Sequence, residues 1–251
     1  MKRVPLLLCV LFCCLPLAYS QPETPEAALA RFDEAYRNRR DPIRARIALE
    51  GYRSLHQKQP ERVELAWRLA MACQMVGHRI AKDPEEKASL FTEGKTAARA
   101  ALERQPDCAP CHFWVAINMA QYAETVGVFK MLISLPEVRR HLKQAAESEP
   151  AYAFAGPYRI LGLIDQKLPG IFGGDDDRAR ESFEKAIRLV PDNPMNYLFL
   201  ARLLAENFHE TEAALKIARE GLQRPPPPPH EIESVESREE LAQFVLTESK
   251  K

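Results

Sequence analysis

ARESFEKAIRLVPDN, residues 179–193, is the stretch of sequence that decides the fold. Ala179, Phe183 and Ala186 recur at helical spacing, and Pro191 comes five residues later. Because proline lacks an amide hydrogen and clashes with the preceding turn, it stops a helix. Small and large residues that alternate on one face let a second helix pack closely against it. The stretch therefore predicts an amphipathic helix that packs on a neighbour and ends near Pro191.

The same arrangement recurs along the chain and indicates internal repeats. Prolines that end helix-like segments are Pro60, Pro106, Pro150, Pro191 and Pro225, with gaps of 46, 44, 41 and 34 residues. The packing positions before the other four prolines are Ala48, Tyr52 and Leu55; Gly94, Ala98 and Ala101; Val138, Leu142 and Ala145; and Ala213, Ile217 and Glu220. Repeats of this length are typical of helical solenoids, in which stacked units bury each other's apolar faces.

These segments resemble the second helix of the tetratricopeptide repeat, including its terminal proline. Two sets of residues are similar to the first helix of that repeat: Tyr158, Leu161 and Gly162, then Tyr197, Leu200 and Ala201. The resemblance implies an all-α fold, a tetratricopeptide-like helical-hairpin solenoid. The alternative is a generic helical bundle.

The predicted organisation has four parts. Residues 1–20 are a signal peptide, because a basic start precedes the apolar run Leu6–Leu17 and the small residue Ser20. Residues 21–224 form the solenoid of about five helix pairs. Residues 225–234 are a polyproline spacer, with docking to an aromatic groove as the alternative, and residues 235–251 are a short C-terminal helix or tail. A retained membrane anchor and a lipoprotein are the alternatives for the first segment.

The composition narrows the function classes. The 35 basic residues balance the 35 acidic ones, so nothing predicts binding to nucleic acid. With 46% hydrophobic and 28% charged residues, the chain reads as a soluble globular protein. Together with the signal peptide, this predicts an exported protein.

Four stretches carry a more specific resemblance: Cys108–Asn118, Gly156–Gly162, Leu168–Asp175 and Phe183–Asn193. They are similar to the T-component proteins associated with TRAP transporters, which are tripartite periplasmic uptake systems. The resemblance implies a periplasmic binding or scaffold protein, an accessory of solute uptake. It also implies a substrate-binding subunit as protein partner, and a homo-oligomer.

Cys108, Cys111 and His112 match the attachment pattern of haem c, in which two thiols form thioethers and the histidine ligates iron. Haem is disfavoured, because a repeat helix begins at this motif. A disulfide between Cys108 and Cys111 is the preferred interpretation. The acidic loop 173–177 is predicted to cap a helix and not to bind a metal. No catalytic motif occurs, so we expect no enzyme. An electron-transfer protein and an envelope assembly scaffold remain as alternatives.

A binding groove is predicted on the first helices of the units. These helices are aligned by their large aromatic residues, Trp67, Trp114, Tyr158 and Tyr197. The predicted groove residues are Arg68, Met75, Met119, Tyr122, Arg159, Leu163, Gln166 and Arg202. Because arginine pairs well with carboxylates, we expect an acidic protein segment or a small organic acid. The methionine and tyrosine residues offer adaptable apolar contact, so a hydrophobic ligand is also considered. The alternative is that these arginines are solvated or form internal ion pairs.

Overall fold

A computed structural model describes residues 23–250, and the predicted signal peptide, residues 1–20, lies outside them. Within the described residues the secondary structure is helical, with no strand. The helices are α1 Pro25–Arg37, α2 Pro42–Lys58, α3 Val63–Arg79, α4 Pro84–Leu102, α5 Ala109–Val126, α6 Val128–Ser148, α7 Tyr152–Lys167, α8 Asp176–Leu189, α9 Pro194–Glu206, α10 Thr211–Gln223 and α11 Ile232–Glu248. A short 3-10 helix, Gly170–Phe172, lies between α7 and α8. The prediction of an all-α fold is confirmed.

The helices are arranged as five hairpins and a single final helix. Each helix from α1 to α10 packs against the next one along the chain, and α11 packs against both α9 and α10. First helices of adjacent hairpins also touch, as α3 touches α5 and α7 touches α9. Stacking of this kind buries each hairpin between its neighbours.

Prolines mark both ends of the helices. The second helix of each hairpin ends two to four residues before one of the five prolines identified in the sequence. Other prolines occupy the first helical position, where a missing amide hydrogen costs nothing. They come directly after capping residues whose side chains accept backbone hydrogen bonds: Thr24, Asp41, Asp83 and Asn193. The helix boundaries are therefore determined by residues close to them in the sequence.

The packing positions predicted for the fourth hairpin are correct. Ala179, Phe183 and Ala186 are fully buried. Phe183 lies on Gly162 of α7, where an added Cβ would come within 2.6 Å of the aromatic ring. The small residues therefore allow the close helix contact that the spacing predicts.

The register predicted for the fifth hairpin is wrong by one residue. The buried positions of α10 are Ala214, Ala218 and Gly221, not Ala213, Ile217 and Glu220. Gly221 lies against Tyr197 of α9, where an added Cβ would be 2.7 Å from the tyrosine Cβ. Arg224 then leaves the helix in an extended conformation, so Pro225 begins a different kind of segment from the other stop prolines.

The last helix begins earlier than the sequence suggests, at Ile232 instead of residue 235. Ile232 is buried, and the Ser234 hydroxyl accepts a hydrogen bond from the Asn193 amide at 2.8 Å. The segment between α10 and α11 is correspondingly shorter than the predicted spacer. None of the helices within residues 23–250 combines the length and the apolar character that crossing a bilayer requires.

Candidate functional site

The arginines of the predicted groove have partners inside the protein. Arg68 donates to Asp33 Oδ1 at 3.0 Å, and its guanidinium lies 4.4 Å from the centre of the Trp67 ring. Arg202 forms an ion pair with Glu240 at 2.6 Å. These contacts correspond to the alternative of internal ion pairs.

Arg159 is buried and has a structural role. Its guanidinium donates to Asn196 Oδ1 and to the Phe154 carbonyl, both at 2.7 Å, and to the Ala153 carbonyl at 3.2 Å. Residues 153–155 have positive φ angles of 49°, 59° and 61°, which cost energy for residues with a Cβ. Burial lowers the pKa of Arg159 to about 10. Arg159 therefore holds a left-handed turn at the start of α7 and does not face a groove.

The other predicted groove residues lie largely between helices. Met75 is buried, and Met119 and Leu163 pack against core clusters. Gln166 donates to Asn207 Oδ1 at 3.1 Å, while the Tyr122 ring has Lys95 Nζ 5.0 Å from its centre. Of the eight residues, three are buried and five are half-buried. That any of them binds a partner stays a prediction.

The cysteine and histidine residues form a buried cluster at the start of α5. The structure places the sulfur atoms of Cys108 and Cys111 within bonding distance, with the Cα atoms 5.2 Å apart. His112 donates from Nε2 to the Pro106 carbonyl at 2.8 Å, so its Nδ1 accepts the hydrogen of His141 Nδ1 at 2.7 Å. Both nitrogens of His112 are occupied by these contacts. Haem at this motif, and the disulfide itself, remain untested predictions.

The histidine pair is neutral because it is buried. Burial lowers the pKa of His112, and burial with the nearby Arg140 lowers the pKa of His141 to about 3. Arg140 donates to His141 Nε2 at 3.1 Å, which completes a chain of hydrogen bonds. Between residues 23 and 250, no group of three or more His, Cys, Asp or Glu side chains is arranged so that it could hold a metal ion. In the acidic loop, Asp175 caps α8 by accepting the Arg178 amide at 2.9 Å, as expected.

The two ends of the solenoid meet. Arg79, at the end of α3, donates two hydrogen bonds to Glu236 of α11, at 2.9 and 2.7 Å. Arg39, between α1 and α2, pairs with Glu233 and donates to the His230 carbonyl at 3.2 Å. The first two hairpins are thus held to the start of the last helix. We call these four side chains, Arg39, Arg79, Glu233 and Glu236, the closing contact.

A basic cleft lies beside the closing contact. It has a volume of about 950 Å³ and lies between the turn that joins α1 to α2 and the turn that precedes α11. The lining residues are Glu34, Arg37, Asn38, Arg40, Asp41, Arg44, Pro229, His230 and Ile232. Within residues 23–250, the exposed Arg40 and Arg44 form no hydrogen bond or ion pair. Alongside Arg79, Arg40 lies near enough to Glu236 to help lower the pKa of that carboxyl, but in this part of the chain neither guanidinium is held by an ion pair.

Sequence reasoning missed this cleft although a signal is present. Residues 37–46 contain five arginines and one aspartate, in a chain whose total charge is zero. The whole-chain balance concealed the local excess. The other side of the cleft comes from residues 229–232, nearly two hundred residues later, and no repeat pattern places them there.

Comparison with known proteins identifies the repeat type. A thermophilic TPR protein of Thermus thermophilus superimposes with a TM-score of 0.65 at 17% identity, covering 89% of this chain and all of that one. At this identity the match shows the fold alone. The prediction of a tetratricopeptide-like helical-hairpin solenoid is confirmed.

Sequence relatives identify the family. The model of the family "Regulator of microtubule dynamics protein 1-3" matches residues 28–162, more than half of the chain. Regulator of microtubule dynamics protein 3 of Xenopus laevis is 35% identical over 99 residues, covering 39% of this chain and 21% of its own length. The human protein 2 is 27% identical over 193 residues, covering 71% of this chain and 46% of its own length. The chain therefore spans less than half the length of these relatives.

The resemblance to TRAP-transporter T-components is wrong, because the family model and the relatives point to a different family. The exported, periplasmic location and the uptake role are wrong for the same reason, since the matched relatives are animal proteins, and a periplasmic substrate-binding subunit as partner is not supported. The alternatives of electron transfer and envelope assembly find no support either. The family name denotes regulation and no chemical reaction, and the lack of an enzymatic activity stays a prediction. The chain belongs to the family of proteins named regulator of microtubule dynamics protein 1 to 3.

Proposed function

We propose that this solenoid is a protein-binding module of a regulator of microtubule dynamics, and that its basic cleft receives an acidic segment of the partner. The family gives the context, since its members are named for an effect on microtubules. Tetratricopeptide solenoids offer extended surfaces and carry no reaction of their own. The observation that carries the proposal is the pair of exposed, unpaired arginines, Arg40 and Arg44, in a cleft.

The chemistry of the cleft favours a carboxylate-rich ligand. Arginine presents a planar fork of donors that matches a carboxylate, and it stays charged at every physiological pH. Arg37 is already paired with Glu34 at 2.6 Å, and the Asp41 carboxylate accepts the Ile43 amide at 2.8 Å. The charges of Arg37 and Glu34 thus cancel within the wall. Arg40 and Arg44 leave a net positive charge facing the opening.

The cleft also supplies shape. The exposed Pro229 supplies apolar surface beside the arginines, so a segment with alternating acidic and apolar residues would fit. The closing contact fixes both walls, because Arg39 joins the α1–α2 turn to Glu233. A rigid site loses less conformational entropy when a flexible segment binds.

Co-sedimentation with polymerised tubulin and anisotropy of a labelled poly-glutamate peptide test the proposal. The double variant Arg40→Glu, Arg44→Glu is expected to weaken peptide binding at least about tenfold, since both favourable pairs become repulsive. The control variant Arg104→Glu, Arg188→Glu changes the net charge equally at exposed sites away from the cleft and should bind like the parent. Binding should also weaken as salt is added.

The two assays separate the parts of the proposal. Peptide binding without co-sedimentation would retain the acidic ligand and remove the microtubule as the partner. Equal peptide binding by the parent and the cleft variant, with both folded by circular dichroism, would reject the cleft. Equal loss in the cleft and control variants would show that only the net charge matters, and would reject it too.

A further inference from the structure

The segment between α10 and α11 contains five consecutive prolines, Pro225–Pro229. A residue that precedes proline is kept out of the helical region, so residues 224–228 are all extended. Arg224 has φ −69° and ψ 155°, the values of polyproline II. No helix or strand occurs over residues 225–228, and residues 229–230 form a turn. The prolines therefore form a short polyproline II helix before that turn.

This helix exposes two of its three edges. Polyproline II has three residues per turn, so Pro225 and Pro228 share one edge, and Pro226 lies on the next. All three are exposed, whereas Pro229 belongs to the turn and lines the basic cleft. Pro227, on the third edge, is half-buried, as is Arg224 three residues before it. The segment rests on the edge of Pro227 and presents two adjacent, exposed edges outward, beside a small cavity that residues 225–228 line together with Phe154 and Val190.

Hydrogen bonds fix both ends of the segment. Arg238 of α11 donates to the carbonyls of Leu222 and Arg224, at 2.7 and 3.0 Å. At the other end, the Glu231 amide donates to the Pro228 carbonyl at 2.9 Å. A partner would therefore meet a conformation that is already formed, which lowers the entropic cost of binding.

We propose that the two outward proline edges are a docking site for a polyproline-binding domain. Such domains have parallel aromatic side chains between which two edges of a polyproline II helix insert. The charged residue beside the prolines indicates which kind of polyproline-binding domain would fit. Arg224 forms an ion pair with Glu220 at 2.7 Å, and its guanidinium lies 5.6 Å from the centre of the Tyr197 ring. Since this arginine is engaged, recognition depends on the prolines alone, and the partner needs an aromatic groove without an acidic pocket for arginine.

The test measures binding of the full chain to purified WW and EVH1 domains, with an SH3 domain for comparison. Intrinsic tryptophan fluorescence of the WW domain, and calorimetry for all three, report the affinity. Either the WW or the EVH1 domain is expected to bind with a dissociation constant below about 1 mM. The double variant Pro225→Ser, Pro228→Ser removes one outward edge and should weaken binding at least about tenfold. The control variant Pro150→Ser changes an exposed proline between hairpins and should bind like the parent.

Three results would overturn the inference. The first is no binding of the WW or EVH1 domain at about 1 mM. The second is undiminished binding by the double variant. The third is binding by the SH3 domain alone, since that would require a free arginine. If the double variant melts below the parent, Pro226→Ala tests the other outward edge with a smaller change. Cleft variants at Arg40 and Arg44 should leave this binding unchanged, so the two surfaces are tested separately.

Discussion

Arg79 and Glu236 lie 157 residues apart in the sequence and form two parallel hydrogen bonds, at 2.9 and 2.7 Å. The Arg79 guanidinium lowers the pKa of the Glu236 carboxyl, as expected for a paired carboxylate. Together with Arg39 and Glu233, this pair joins the first two hairpins to the last helix. The solenoid is closed by charges and not by a continuous apolar core.

The first prediction concerns this closing contact. Arg79→Glu should open the closure, because it places two carboxylates against each other. Since both side chains are about one-third exposed, we expect a loss of about 1 kcal/mol in stability. Small-angle scattering should show a larger radius of gyration. The exchanged variant Arg79→Glu, Glu236→Arg should restore the parent value, and a failure to restore it would mean that the pair does not hold the ends.

The second prediction concerns the buried histidines. The unfolded chain binds protons at His141 with a pKa near 6.5, whereas the folded chain does so only near pH 3. Between these values the unfolded state binds more protons, so stability is full above about pH 6.5 and falls as the pH is lowered. The slope reaches about 1.4 kcal/mol per pH unit for one such group.

Urea unfolding at several pH values measures this dependence. His141→Asn keeps a donor near His112 and removes the titrating group, so the slope between pH 6.5 and about pH 5 should become shallower. Gln57→Asn, at an exposed position without a titrating group, should leave the slope unchanged. Parallel pH curves for the parent and His141→Asn would contradict the assignment of a neutral buried pair.

The third prediction compares the contributions of Arg159 and Arg202 to stability, since the sequence analysis assigns both to one groove. Arg159→Leu leaves the carbonyls of Ala153 and Phe154 and the amide oxygen of Asn196 without their donor, at a cost of about 3 kcal/mol. Arg202→Leu breaks only a half-exposed ion pair and should cost less than about 1 kcal/mol. Denaturant midpoints provide the measurement, and similar losses at both sites would remove the structural role assigned to Arg159.

The fourth prediction tests the close contact in the fourth hairpin. Ala186 is fully buried, so Ala186→Leu should overpack the contact and cost about 1–3 kcal/mol. Arg188→Leu, two residues later and exposed, is the control and should melt within a few degrees of the parent. If Ala186→Leu melts like the parent, the helices are not as close at this point as the structure shows.

The fifth prediction concerns the cysteines. Peptide mapping without reductant should recover Cys108 and Cys111 as a linked pair, 3 residues apart. Cys73 is buried, and burial raises the pKa of its thiol, so alkylation should label it only after unfolding. A haem adduct would instead add the mass of haem to the peptide containing both cysteines. Free thiols at Cys108 and Cys111 in the native protein would contradict the disulfide.

The fold could be predicted because its determinants are local. Ala179, Phe183, Ala186 and Pro191 lie on successive turns of one short segment, and their spacing specifies a helix, a packing face and an end. The proline pattern failed at Pro225, where the same residue type begins a polyproline II helix instead of a turn between hairpins. A proline that stops a helix does not specify the conformation of the next segment.

The candidate site could not be predicted because it depends on the superhelix. Arg159 occupies the repeat position of Arg68, but beside the left-handed turn at residues 153–155 its side chain is buried and bonded to the carbonyl of Ala153. The cleft joins residues 37–44 to residues 229–232, and their meeting depends on the accumulated rotation of five hairpins. A repeat alignment shows which positions of the units correspond. It does not give the rotation that accumulates over five hairpins, so it does not predict which distant residues meet.

The closing contact also limits how many hairpins this chain can contain. An open array of hairpins tolerates the gain or loss of a unit, because only nearest neighbours interact. Here an inserted hairpin would add two helix widths of about 8–10 Å each between the ends and move Glu236 out of reach of Arg79. Duplication of a hairpin, the ordinary route by which solenoids grow, would therefore break the ring, so the number of units is set by the geometry of closure.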